Sequence, residues 1–144
     1  MSQPSAETPV LACLNRIFKL EMSGVMRYLH YSFMIMGHNR IPIQKWFRDQ
    51  ANEAVTHAIT IGEKITSLGG HPTMEPVRVE ETNVHTIDAI LKESLNFEEE
   101  GIRLYKELLG LAGQDVALEE MARQFVRTET EHVEEVQKML RSNK

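Results

Sequence analysis

A chain of 144 residues, 42% apolar and 26% charged, has the size and composition of one globular unit, which excludes a disordered tail or a fibrous repeat as its main body. Sixteen Lys and Arg against 21 Asp and Glu leave a net charge of −5, the wrong sign for a phosphate-binding face, so no nucleic-acid partner is expected. The single cysteine, Cys13, has no internal disulfide partner, and the start MSQPSAETP lacks a basic-then-apolar leader. The most apolar run, Val25 to Met36, is broken by Arg27 and His30 and is too short for a bilayer, so the expectation is a soluble cytoplasmic protein with no membrane partner.

Glycine and proline cluster between long stretches with apolar residues at three- and four-residue spacing. Residues 1–8 read as a flexible lead. The first helix spans about 9–37, with Leu11, Leu14, Ile17, Phe18, Val25, Tyr28 and Leu29 on its stripe, and stops at Gly37-His38-Asn39. The second, about 42–69, opens at Pro42, a favoured first-turn residue, and closes at Gly69-Gly70. The third, about 84–112, has Asn83 and Thr86 as alternative N-caps and ends at Gly113. The fourth, about 115–141, opens near Gln114 and Asp115. Val77 to Val79 alternates but is too short to found a sheet. The expectation is all-α. Short connections make hairpins of helices one and two and of three and four. The connection from Gly69 to Asn83, about 15 residues, is long enough to run the length of a bundle, with Met74, Val77 and Val79 seeking somewhere to pack. Four helices, up-down-down-up, with one long crossover form a single domain over 1–144.

Charged residues interrupt the apolar stripes. At about 100° per residue, Glu21 shares a face with Ile17, Phe18, Val25 and Tyr28, and Glu98 with Leu91, Leu95, Ile102 and Tyr105. His57 sits among Phe47, Ala54, Ile61 and Leu68; Glu129 and His132, one turn apart, sit among Leu118, Ala122, Phe125 and Val136. Buried carboxylates without partners are costly and take up protons. Three of them aimed at one core with two imidazoles have a common solution in a divalent cation. The halves echo each other, since Glu21 and Glu98 are each followed seven residues later by a tyrosine, Tyr28 and Tyr105.

From about Leu11 to Leu140 the sequence resembles the bacterioferritin branch of the ferritin-like di-iron proteins. The resemblance rests on Leu20-Glu21 with Tyr28, His57-Ala58 with Leu68-Gly69-Gly70-His71-Pro72, the run Leu95 to Glu107, and Glu129-Thr130-Glu131-His132. It implies a di-iron site at mid-bundle. Glu21 and His57 would serve one iron, Glu98 and His132 the other, and Glu129 would bridge. Tyr28 would bond a ligand carboxylate, carry a transient radical or simply pack.

The departures are informative. A second bridging glutamate is expected three residues before His57, where the chain has Ala54. Glu53 is adjacent but lies nearly 90° from the centre of the buried face. It is the one candidate to rescue the site, with water or another anion as the alternatives. Where the family ligates haem through a methionine, this chain has Val55, so haem is not expected. The sequence stops at Lys144 without the family's short fifth helix, which leaves dimers or smaller assemblies beside the shell. Tyr31, Phe33, Met34 and Trp46 are the expected dimer surface. His30, His38, His71 and His85 read as surface residues.

Three functions follow from the resemblance. One is Fe(II) oxidation by O2 or peroxide with iron storage. Another is a catalytically impaired subunit that kept the bundle. The last is a di-iron enzyme acting on peroxide or an organic substrate. Iron, or another divalent metal at the altered site, is the implied cofactor.

Overall fold

The computed structural model describes residues 7–141. Among these, four helices account for the regular structure: α1 (Pro9–Met34), α2 (Arg40–Ser67), α3 (Ile87–Leu111) and α4 (Val116–Leu140). Each start has a local cause. The Thr8 hydroxyl accepts from Leu11 N, Thr86 from Ala89 N and the Asp115 carboxylate from Leu118 N, so three helices open on side-chain caps. Pro9 occupies the first turn of α1, where its missing N–H costs nothing. Of the two candidate caps for α3, Thr86 is the one used; Asn83 instead takes a left-handed turn (φ 61°) in the crossover.

The helix ends are equally specific. α1 stops at Met34 because Ile35 turns extended, and Gly37 then adopts φ 100°. Arg40 reaches back from the start of α2 and donates to the free carbonyls of Ile35 (2.5 Å) and Phe33 (3.2 Å). α2 closes with Gly70 N bonded to Ile65 O and Gly69 at φ 83°, the left-handed turn that glycine makes at no steric cost. The expected flexible lead falls on residues 1–6, which lie outside the described residues, and on Glu7 and Thr8. Those two are held, by Asn15 on the Glu7 carboxylate and by the cap.

α1 and α2 form one antiparallel hairpin and α3 and α4 the other, joined through α1 against α3. Arg16 pairs with Glu107 at one end of that seam and Arg27 with Glu93 at the other, so α1 and α3 run in opposite directions. The crossover climbs α1 from end to end. Thr73 N bonds the Asn15 side chain, Lys19 pairs with Glu75, and His30 meets Glu81. The order is up-down-down-up, as expected. Val77 and Val79 are half-buried along this path, but Met74 stands 89% exposed, at the edge of a groove lined by Phe18, Met22 and Met26.

The core is split. Below mid-height, Leu14, Ile17, Ile61, Ile65, Tyr105, Leu108 and Leu118 make one apolar cluster, which also holds Cys13. Above it, Tyr28, Tyr31, Ile35, Phe47, Ile90 and Leu91 make another. Tyr31 is 1% exposed and belongs to that upper cluster, so it cannot supply an outer surface as the sequence suggested; its wheel position lies on the stripe side of Phe33. Between the clusters lies a layer of buried polar side chains. No described helix is long and apolar enough to cross a membrane.

Candidate metal centre

All four helices contribute to that layer. α1 sends Glu21, α2 His57, α3 Glu98, and α4 Glu129 with His132 one turn later; the three glutamates and His57 are buried and His132 nearly so. The side chains fall into two triplets with ligand atoms close enough for one ion each, Glu21–His57–Glu129 and Glu98–Glu129–His132. Glu129 belongs to both. Its Oε1 lies 3.4 Å from His57 Nδ1 and its Oε2 lies 3.5 Å from His132 Nδ1, so one carboxylate presents one oxygen to each half. Glu21 Oε1 stands 3.5 Å from His57 Nδ1, and Glu98 Oε2 stands 4.0 Å from His132 Nδ1.

Neither Nδ1 has a hydrogen-bond partner, although both are fully buried. Buried polar atoms are nearly always satisfied, so two orphans facing the same carboxylate require an explanation. The separations of about 3.4–3.5 Å are too long and too poorly aimed for hydrogen bonds, but they match the span between neighbouring ligands on an ion with bonds of about 2.0–2.2 Å. A divalent cation fits this donor set. Imidazole nitrogen and carboxylate oxygen together accept iron in both common oxidation states, as well as zinc or manganese.

The tyrosines cross between halves. Tyr105 from α3 donates to Glu21 Oε1 at 2.6 Å, and Tyr28 from α1 donates to Glu98 Oε1. Each glutamate is thereby oriented by the other helix's tyrosine. Sequence spacing singled out the pair, but only the structure shows the exchange. Phe125 meets the His57 ring edge-on at 4.8 Å, and Trp46 meets His132 at 6.2 Å, which limits rotation of both rings.

Glu53 differs from its wheel position. Its backbone sits at the rim, yet the long side chain brings Oε2 to 2.9 Å from His132 Nε2 and Oε1 to 3.4 Å from His57 Nε2. It meets the outer nitrogens of both rings, while their inner Nδ1 atoms face Glu129. The structure therefore brings Glu53 to the histidines but outside both triplets. A carboxylate on the outer N–H of a ligating imidazole fixes its tautomer and orientation. Helical projection underestimates such a residue because it ignores side-chain length. Ala54 does point inward, at 4% exposed, and lines the cavity between Glu21, Tyr28, His57, Glu98 and Glu129. That cavity has a volume of about 20 Å³, against about 10–15 Å³ for a single water on this measure. Buried Gln50 completes the wall, a residue the sequence reading passed over; its place one turn before Glu53 and Ala54 was the available signal.

On the protein's own charges the layer balances by sharing protons. Burial pulls the His57 imidazole down, but the carboxylates of Glu129, Glu21 and Glu53 outweigh it and push it up to about 11. Burial likewise opposes, and Glu129 and Glu53 raise, His132, which reaches about 10. Glu53 is held at about 2, its partial burial outweighed by the two imidazoles. Burial lifts Glu98 well above the ordinary carboxylate range, reinforced by neighbouring Glu129, and burial lifts Glu21 too. Glu129 goes the other way despite its burial, because Glu98 and the two imidazoles beside it favour its charged form. The two imidazoles are thus raised, Glu53 and Glu129 are lowered, and Glu21 and Glu98 are raised.

A search among curated proteins found no match. Many solved structures are similar, among them a ferritin-like, diiron-carboxylate protein from Bacillus anthracis str. Ames. It is 26% identical, covers 98% of this chain and 100% of its own, and superposes with a TM-score of 0.87. The family model of the ferritin-like domain matches residues 11–144. With that match running through all four helices and both ligand triplets, the chain belongs to the ferritin-like domain family.

Proposed function

We propose that the polar layer binds a pair of Fe(II) ions and supports their oxidation by O2 or peroxide, within the bacterioferritin branch of the family and in the service of iron storage or detoxification. The observation that carries this reading is the pair of orphaned Nδ1 atoms facing the two oxygens of Glu129. Iron supplies the electrons that reduce the oxidant. The chain supplies the cradle. Glu129 offers one oxygen to each half, Glu21 and Glu98 offer the terminal carboxylates, and Tyr105 and Tyr28 hold those carboxylates by their other side. Glu53 stands at the outer nitrogens of both imidazoles, a position that favours Nδ1 inward. Tyr28, buried and hydrogen-bonded to Glu98, would serve proton or electron transfer at the site, a role its contact with a terminal carboxylate supports. The cavity admits water-sized molecules, which favours O2 or peroxide over an organic substrate.

A homo-oligomer forms part of the proposal. Met22, Met26, Leu29, Phe33 and Met36 make an exposed apolar stripe at three- and four-residue spacing along α1 and just beyond its end, with Val55 and Ile59 exposed on α2. This stripe, with Phe33 but without buried Tyr31, is the surface for a second copy. A cytoplasmic setting belongs to the same proposal, supported by the free, buried Cys13, which suits a reducing compartment.

The test is anaerobic Fe(II) titration followed by exposure to air, read by equilibrium binding and by growth of ferric near-ultraviolet absorbance. The account expects two Fe(II) per chain and a rise in ferric absorbance on oxygenation. A different reading rests on Ala54, which leaves the pair without a second bridging carboxylate: an impaired subunit that keeps the bundle. Bound iron without oxidation would favour it, and no binding at all would overturn the ferroxidase reading and leave the impaired subunit.

A further inference from the structure

A separate cluster of metal-ligating side chains lies on the outside of the bundle. His30, near the C-terminal end of α1, points its Nε2 at Glu81 Oε2 on the crossover, 2.8 Å away. His85, just before the cap of α3, points its Nε2 at the same oxygen from 3.3 Å. The left-handed turn at Asn83 folds the crossover back so that Glu81 and His85 face α1 together. The two rings meet at 5.9 Å and 70°. All three ligand atoms fall within 4.8 Å of one another, and the cluster shares no residue with the two triplets of the polar layer.

We infer that His30, Glu81 and His85 form a surface site for a borderline divalent cation of the zinc class, which clips the crossover to α1. The donor spacings carry the inference. At bonds of about 2.0–2.2 Å, ligands on one ion stand roughly 2.8–3.6 Å apart for angles from about 90° to 110°, a span that takes in both measured separations, 2.8 and 3.3 Å. Two imidazoles and one carboxylate select zinc, cobalt, nickel or ferrous iron and disfavour magnesium and calcium, which want oxygen alone. The three side chains are partly exposed, so water can complete the coordination. Arg27, which lines the same groove as His30 and Glu81, is engaged by Glu93 and by the Tyr31 hydroxyl. Among the described contacts, the crossover beyond Glu75 has its polar anchor to α1 at Glu81, so a cation there ties down the last stretch before α3.

The test uses the full chain and Zn2+ alone. Titration followed by imidazole 15N NMR is expected to shift the His30 and His85 Nε2 resonances together, saturating at one equivalent of their own. His30→Ala and His85→Ala are each expected to bind one Zn2+ fewer per chain than the parent, with the ions at the bundle centre retained. His85→Gln guards against a loss caused by the alanine. Amide exchange at residues 79–86 is expected to slow at least tenfold with Zn2+ in the parent and not in the variants. Equal Zn2+ stoichiometry in parent and variants, movement of one histidine without the other, or equal shifts with Mg2+ would overturn the site and leave an ion-pair cluster only. Loss of metal from the bundle centre in Glu129→Gln, with the His30 and His85 shifts intact, would separate this site from the proposed function.

Discussion

Ala54→Glu places a carboxylate where the polar layer lacks one. The alanine side chain is buried in the wall of a cavity of about 20 Å³, flanked by Glu21, Tyr28, His57, Glu98 and Glu129. A glutamate adds four heavy atoms to space that holds about one or two waters, an overpacking worth about 1–3 kcal/mol. Its carboxyl enters a layer already crowded with acids, and a buried polar group without a partner adds about 1–3 kcal/mol. The sum centres on about 4 kcal/mol. For a chain of this length, at about 3 °C per kcal/mol, the chelated variant should melt roughly 12 °C below the parent. A redox-silent divalent ion reverses the sign. The new oxygen serves both halves, and each tenfold gain in affinity adds about 1.4 kcal/mol per ion to the metal-bound state. The Zn2+-induced rise in Tm should therefore exceed that of the parent by about 8 °C if both ions tighten tenfold. Calorimetry of both proteins in chelator and in saturating Zn2+ gives the four values needed. An unchanged melting point in chelator would mean that the new side chain turns to solvent. A zinc-induced shift no larger than the parent's would refute the idea that this position lacks a ligand.

Three further outcomes follow. Because Glu129 alone serves both triplets, Glu129→Gln should abolish binding of both central ions, whereas Glu21→Gln and Glu98→Gln should each weaken one; equilibrium dialysis at defined free metal separates the two patterns. Glu53→Ala should weaken central metal affinity about 10- to 100-fold while leaving two ions per chain, since it holds the rings from outside; loss of a whole equivalent would make Glu53 a ligand instead. Finally, His57 and His132, raised to about 11 and about 10, carry protons at neutral pH that an ion must displace. Binding should accordingly release at least two protons per ion pair and strengthen as pH rises from 6 to 8. Calorimetry in buffers of different ionisation enthalpy counts them, and a count of zero would contradict the arrangement.

Much of this was legible in the sequence, for reasons that particular residues make clear. Helix starts at Pro9, Thr86 and Asp115 are written in cap chemistry, and the stop at Gly69 in its left-handed turn. The inward positions of Glu21, His57, Glu98 and Glu129 follow from helical period alone, because each carboxylate or imidazole interrupts a regular apolar stripe. What period cannot give is reach. Glu53 stands at the rim by angle and still meets both histidines, and Tyr28 and Tyr105 exchange partners across a helix interface that no single wheel contains. Loops were harder still. Met74 is expected to pack but stands exposed, while Glu81 and His85 meet His30 only because of a turn at Asn83. Tyr31 is expected on a dimer surface with Phe33, Met34 and Trp46, but it fills the upper core beside Phe47.

The most direct measurement is anomalous diffraction at the iron edge from crystals loaded with Fe(II) under anaerobic conditions. The account predicts two peaks within the bundle on either side of Glu129, one beside Glu21 and His57 and one beside Glu98 and His132. A bundle centre without anomalous density, its carboxyls paired through protons or swung out to water, would contradict it.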